Sequence, residues 1–252
     1  MSEVASPVVL VTGGGRGIGA ATARLAASRG YIVAVNYQNE NAAAGAVVEE
    51  IRQARGRAVA FRADISVESE VVGLFAAVDR ELGPVAALVN NAATLEAQMR
   101  LDLMDAARIE RMFSTNVIGT MLCAREAVRR MSTRFGGSGG TIVNVSSGAA
   151  KSGAPGEYVD YAATKGAIET FTVGLASEVA DERIRVNGVR PGFIYTELHA
   201  KAGEPARVDR VKALVPMKRG GAPEEVAEAI IWLLSDAASY VTGTFIDVAG
   251  GR

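Results

Sequence analysis

Histidine, cysteine and tryptophan are nearly missing from this chain, with one of each among 252 residues. The lone Cys123 cannot close an intramolecular disulfide, and Cys123 with His199 cannot build a Cys/His zinc site, so no metal is expected. A histidine base would rest on His199 alone, in a stretch (197–218) that reads as surface loop. Charge of one sign is missing too. Twenty-seven Lys+Arg against 28 Asp+Glu leave a formal −1, which gives no electrostatic footprint for nucleic acid or an anionic membrane. No segment reaches the ~18 uninterrupted apolar residues of a membrane span. The first residues carry Glu3 and run straight into a strand-like stretch, so no signal peptide is read and a cytoplasmic protein is expected.

Apolar residues (49%) and glycine (28 residues) are abundant. Val8–Val11 is a short β-branched run that stops at a glycine cluster, and a helix follows over 20–28. The alternation continues with strands near 31–35, 58–61, 86–89, 141–145, 184–189 and 244–248. Helices are expected near 42–55, 68–82, 104–134, 158–179 and 224–234. Strands that are apolar throughout are buried on both faces, and their alternation with helices implies a parallel, doubly wound α/β sheet of seven strands. Gly136–Gly140 falls inside this pattern and reads as a loop, and Cys123, on an apolar helix, as a buried small side chain. No linker divides the chain, so residues 1–252 are read as a single Rossmann-like domain.

Thr12-Gly13-Gly14-Gly15-Arg16-Gly17-Ile18-Gly19 joins the first strand to the first helix. Glycines there let the backbone turn tightly and approach a pyrophosphate, to which the helix N-terminus offers free N–H groups. A P-loop is excluded, because the frame Gly14–Gly19 is followed by Ala20-Ala21 where lysine would be required.

The spacing Thr12-Gly13-x-x-x-Gly17-x-Gly19 resembles the cofactor motif of the short-chain dehydrogenase/reductase family, and the resemblance continues along the chain. Asp64 follows the third strand, Asn90-Asn91-Ala92-Ala93 the fourth and Ser147 the fifth, with Asn116 on the intervening helix. Tyr161-Ala162-Ala163-Thr164-Lys165 is a Tyr-x-x-x-Lys, Pro191-Gly192 follows the sixth strand, and Asp247-Val248-Ala249-Gly250-Gly251 resembles the family's C-terminal motif. Ala93 and Ala249 stand where the family usually has glycine or a different residue.

The resemblance implies an NAD(P)-dependent oxidoreductase that moves a hydride between a nicotinamide cofactor and an alcohol/carbonyl pair. Tyr161 would exchange the proton, Ser147 polarise the carbonyl, Lys165 hold the nicotinamide ribose and Asn116 position a water. Residues four apart share a helix face, so the Lys165 ammonium, together with the positive nicotinamide ring, is expected to favour the Tyr161 phenolate and lower its pKa. Ser147 is preferred to Ser146 because consecutive strand residues point to opposite faces. Tyr158 is read as a wall beside the substrate. The cofactor would be held by Gly13, Arg16, Gly17, Ile18, Gly19, Tyr37, Asp64, Ile65, Asn91, Ala92, Tyr161, Lys165, Pro191, Gly192, Ile194 and Thr196, with residues 192–216 covering the substrate.

The second strand ends Val35-Asn36-Tyr37-Gln38-Asn39, without the acid that accepts from a ribose 2′-OH in NAD sites. With Arg16 as a guanidinium for a 2′-phosphate, NADP(H) is expected over NAD(H), with dual use open. A homotetramer is expected from the family's packing of its two long helices. The rival reading is a non-catalytic NADP(H)-binding regulatory or scaffold protein on the same fold.

Overall fold

A computed structural model describes residues 6–252. Residues 1–5, on which most of the N-terminal reading falls, and the side chains of His199 and Lys201 lie outside the described residues. The strands are β1 (Val8–Val11), β2 (Ile32–Tyr37), β3 (Ala58–Arg62), β4 (Val85–Asn90), β5 (Gly140–Val145), β6 (Ile184–Pro191) and β7 (Phe245–Val248). They form one all-parallel sheet in the order β3-β2-β1-β4-β5-β6-β7. The chain reverses direction across the sheet between β1 and β4. In open α/β sheets such a switch point, at the carboxyl ends of the strands, is where ligands bind.

Each face of the sheet carries its own apolar layer. Val9 and Val11 pack with Ala20, Ala23 and Ala26 of α1 (Gly17–Ser28), Val47 and Ile51 of α2 (Asn41–Gln53), and Val226 and Ile230 of α10 (Pro223–Leu234). Val8 and Leu10, one residue out of phase, pack on the opposite face with Leu74 and Phe75 of α3 (Glu68–Glu81) and with Cys123 and Ala127 of α5 (Thr120–Met131). Ala176 and Val179 of α7 (Val159–Val179) complete this second layer. That two-sided burial is why β1 has no polar alternation. No helix among the described residues is long and apolar enough to cross a membrane.

Two departures from the sequence reading bear on the site. The long helix expected over 104–134 is α4 (Ala106–Phe113), a π-helical turn (Ser114–Gly119) and α5. At Gly119 a Cβ would stand 2.8 Å from the Ile65 carbonyl oxygen, so the helix runs hard against the end of β3. In addition, α6 (Ala149–Ser152) follows β5, and the segment 192–216 holds α8 (Leu198–Lys201) and α9 (Arg207–Val211) rather than open loop.

Candidate active site

The glycine-rich turn is shaped from below by Thr12, Asn36 and Asn91. The Thr12 hydroxyl accepts from the backbone N–H groups of Asn91 (3.0 Å) and Ala92 (3.1 Å). The Asn91 amide donates to the carbonyls of Thr12 (3.0 Å) and Gly13 (3.1 Å), and Asn36 Oδ1 accepts from the Gly13 N–H (3.3 Å). Gly13 takes a positive φ of 61°, and a Cβ on Gly19 would stand 2.5 Å from Asn91 Nδ2. Glycine at these two positions is thus a steric requirement of the turn. Asn91 acts as a clamp beneath the turn rather than only as a cofactor contact.

Above the turn opens a cleft of about 370 Å³. Gly13, Arg16, Gly17, Ile18, Tyr37, Asp64, Ile65, Asn91, Ala92 and Thr196 all line it, as does Ala93. Gly19, Tyr161, Lys165, Pro191, Gly192 and Ile194 are not among the lining residues. Gly19 lies under the turn, and Ile194 is buried in the first core layer and bridges to Gly221. Gly192 meets Ala249, where a Cβ would approach the Ala249 Cα to 2.8 Å, so the departure at 249 sits in a packing contact. The first turn of α1 carries no acidic residue. A glycine cradle open to the helix N-terminus, with a guanidinium at its rim, fits the phosphates of a dinucleotide.

Among the lining residues that the sequence reading did not name as cleft residues are Asn36, Gln38 and Glu40. Asn36 is a polar residue within an apolar strand, which is the one signal that could have marked it. Gln38 donates to Asp64 Oδ2 (2.5 Å), whose other oxygen accepts from the Ser66 hydroxyl (2.7 Å). Glu40, three residues beyond the end of β2, turns back so that its Oε1 lies 3.1 Å from Arg16 Nη2. Arg16 is therefore already paired with a carboxylate at the cleft rim.

Leu95 and Leu198 line the far end of the cleft and also pack in a small apolar cluster with Ala154, Tyr158, Ala202 and Tyr161. The tyrosine thus stands where the cleft ends. Tyr161 and Lys165 lie on α7, with Lys165 Nζ 5.5 Å from the Tyr161 ring centre and donating to the Val145 carbonyl at 2.8 Å. Ser147 lies near enough to Tyr161 to favour its phenolate, and its hydroxyl accepts from the Ala149 N–H at the start of α6 (3.1 Å). Ser146 points the other way and donates to Glu169.

One expectation is corrected here. Burial lifts the Tyr161 phenol to about 12, and Ser147 offsets only part of that rise. Lys165 does not depress it: burial pushes the lysine itself down to about 8, and its ammonium is committed to Val145. Asn116, expected to position a water, is buried in the π-helical turn with both amide protons in use. It donates to the Thr94 carbonyl (3.0 Å) and Thr164 Oγ1 (3.2 Å) and accepts from the Thr94 N–H (2.8 Å). Its side chain ties the loop after β4 to α7. Its own carbonyl accepts from the Thr120 hydroxyl (2.9 Å).

Charge anchors the start of α7. Asp160 accepts from the Tyr161 backbone N–H (2.9 Å) and from Arg108 Nε (2.8 Å), and both side chains are buried. Arg108 also donates to the Ala97 carbonyl at 2.8 Å. Nearby, Arg207 of α9 pairs with Glu157 (2.5 Å) and Glu204 (2.8 Å) and lies over the Tyr158 ring, which pins α9 to the loop before α7.

The family profile described as enoyl-(acyl carrier protein) reductase matches residues 13–252. The chain is 62% identical over 245 residues to the uncharacterized oxidoreductase YgfF of Escherichia coli, covering 97% of this chain and 99% of that one. It is 37% identical over 250 residues to 3beta-hydroxysteroid dehydrogenase 1 of Eggerthella lenta (99% and 94% covered). With 3-oxoacyl-(acyl-carrier-protein) reductase of Synechocystis it shares 36% identity over 256 residues (100% and 98% covered). With that similarity running nearly end to end, and a dinucleotide cradle at the switch point of its parallel sheet, the chain belongs to the short-chain dehydrogenase/reductase family and is an NAD(P)-dependent oxidoreductase of hydroxyl and carbonyl substrates.

Proposed function

We propose that this enzyme interconverts an alcohol and a carbonyl compound with Tyr161 as the proton-exchanging group. The observation that carries the reading is the placement of Tyr161 beside both Ser147 and Lys165, next to Leu95 and Leu198 of the cleft wall. The nicotinamide, when bound, supplies the hydride. The rest falls to the chain. Ser147 orients the carbonyl oxygen toward the phenol, and Lys165, fixed through Val145, is placed for the ribose. With its phenol lifted to about 12, Tyr161 is protonated near neutrality and is set up to donate in carbonyl reduction. Alcohol oxidation needs the phenolate, so its rate climbs from about pH 7 to about pH 10 while reduction does not rise.

The apolar side chains around Tyr161 favour a hydrophobic ketone over a sugar. A panel of cyclohexanone, a 3-ketosteroid, acetoacetyl-coenzyme A and glucose, followed by nicotinamide absorbance, tests this. Tyr161→Phe lowers turnover at least ~10²-fold while leaving NADPH affinity nearly intact. Lys165→Ala lowers both. Wild-type turnover in Tyr161→Phe would overturn the assignment.

The cofactor preference is NADP(H), supported by Arg16 at the rim and by Tyr37 and Gln38 in place of an acid. A 2′-phosphate would take Glu40's place on Arg16. That exchange costs little, because an exposed pair is worth at most about 1 kcal/mol. Values of kcat/KM for both cofactors, repeated in Arg16→Ala, decide it: the selectivity for NADP(H) falls in the variant. The chain is further read as a single domain whose residues 192–216 cover the substrate. It is also read as a homotetramer, supported by the exposed Ile118, Met121 and Val173 along the π-turn, α5 and α7. Light scattering at micromolar concentration measures the assembly. A cytoplasmic location is in keeping with its free, buried Cys123.

A further inference from the structure

Behind the tyrosine–serine pair lies a second set of side chains. At the end of β5, Ser146 is buried and donates its hydroxyl to Glu169 Oε1 at 2.8 Å. Glu169 sits on α7 four residues after Lys165 and eight after Tyr161. Its carboxylate is gripped by Arg190 of β6 through two nitrogens, Nε to Oε1 at 2.6 Å and Nη2 to Oε2 at 2.8 Å. The two side chains are 17% and 19% exposed, so this bidentate pair is largely shielded from water. Arg190 is held in turn by the Phe245 ring, 4.4 Å away, and by Asp247, which also accepts from Lys151 of α6 (2.5 Å).

The backbone makes the same junction. The Ser146 N–H donates to the Val189 carbonyl and the Gly148 N–H to the Pro191 carbonyl, both at 2.9 Å. Between those two bonds stands Ser147. Its position relative to Tyr161 depends on how β5 sits against α7, and two ties cross that gap beside it, Lys165 to the Val145 carbonyl and Glu169 to the Ser146 hydroxyl, while Asn144 donates to the Thr172 hydroxyl (2.9 Å) farther back along the strand. The first belongs to the machinery already described, and the second does not.

The geometry points to Glu169 as a positioning residue that, through Ser146 and Arg190, fixes Ser147 against the Tyr161 hydroxyl. A carboxylate suits the task because it accepts from the serine and from both arginine nitrogens together. An amide in its place would turn a donor toward the guanidinium.

This inference rests on the proposed roles of Tyr161 and Ser147, and its test separates the two. The ring carbon bearing the Tyr161 hydroxyl is observed by NMR in the full-length protein labelled at tyrosine, with the signal assigned by its loss in Tyr161→Phe. Ser147→Ala moves that signal by removing the neighbouring hydroxyl. Ser146→Ala and Glu169→Gln move it in the same direction, and Glu169→Gln adds nothing in the Ser147→Ala background. On the best substrate of the panel, both variants lose about 10- to 100-fold in kcat with the KM for NADPH within about twofold. A Tyr161 signal unmoved in folded Ser146→Ala overturns the inference, and that variant decides alone if Glu169→Gln does not fold. If no panel member is turned over, the proposed function fails while the NMR comparison still judges the positioning.

Discussion

Around the glycine-rich turn nearly every tie is a neutral hydrogen bond. Thr12, Asn36 and Asn91 meet backbone groups there, and the one charged pair, Arg16–Glu40, is exposed. Around Tyr161 the neutral ties of Asn116 are joined by ionic ones that are largely shielded from water: Arg108–Asp160, Arg190–Glu169 and the Arg207 cluster. The difference follows from what each side must do. A cradle for phosphates has to keep its field positive and its backbone N–H groups free, and buried carboxylates would spoil both. The tyrosine side must hold three loops and two strand ends in register, and directional charged bonds do that at the cost of desolvation.

The comparison breaks most visibly at Arg108. Arg108→Leu leaves the Asp160 carboxylate buried without its partner, for an expected loss of about 3–5 kcal/mol in urea unfolding. Adding Asp160→Asn recovers part of it. Lys165 gives the next largest effect and the clearest pH signature. The folded chain gives up the Lys165 proton near pH 8, the unfolded chain only near 10.5. The buried ammonium therefore burdens folding fully below pH 8, and wild-type stability rises with pH across that interval. Lys165→Met removes the burden, so the variant is more stable at pH 7 by up to about 3 kcal/mol, and the gap narrows from pH 8 and closes only above about pH 10.5. The smallest of the three is on the neutral side. Gly19→Ala places its methyl against Gly13 and Asn91 and costs about 1–3 kcal/mol, read as a lowered Tm with weakened NADPH binding.

The same contrast sets what could be read from the sequence. All seven strands, the parallel sheet and the main helices were legible, because two-sided burial writes itself as apolar runs such as Val8–Val11 and Val85–Asn90. The glycine turn and the Tyr161–Lys165 spacing were legible because their partners are near in the chain. The supports of the tyrosine were not. Arg108 and Asp160 are 52 residues apart and Glu169 and Arg190 are 21 apart, and no periodicity joins them. The direction of the Tyr161 shift was misread for a related reason: spacing brings an ammonium near, but burial and the Val145 carbonyl decide what it does. Glu40 lies three residues past the end of β2, and only the turn after that strand, which spacing does not reveal, brings it back to Arg16.

The π-helical turn at Ser114–Gly119 has a consequence for how this gene can vary. Each residue of an α-helix advances the side-chain direction by about 100° and each residue of the wider turn by less, so the six residues there turn the chain about as far as five would in an α-helix. Deleting one residue between 114 and 119 would let the segment relax to an ordinary α-helix. Cys123, Ala124, Ala127 and Met131, all buried, would stay against the sheet, and the loss would fall on Asn116, whose hold on Thr94 the wide turn provides. The stretch is therefore open to substitution at outward positions such as Ile118, half exposed, and a one-residue deletion spares the core while it releases the loop after β4. Among relatives of this chain, a shorter segment here should go with a different residue in place of Asn116.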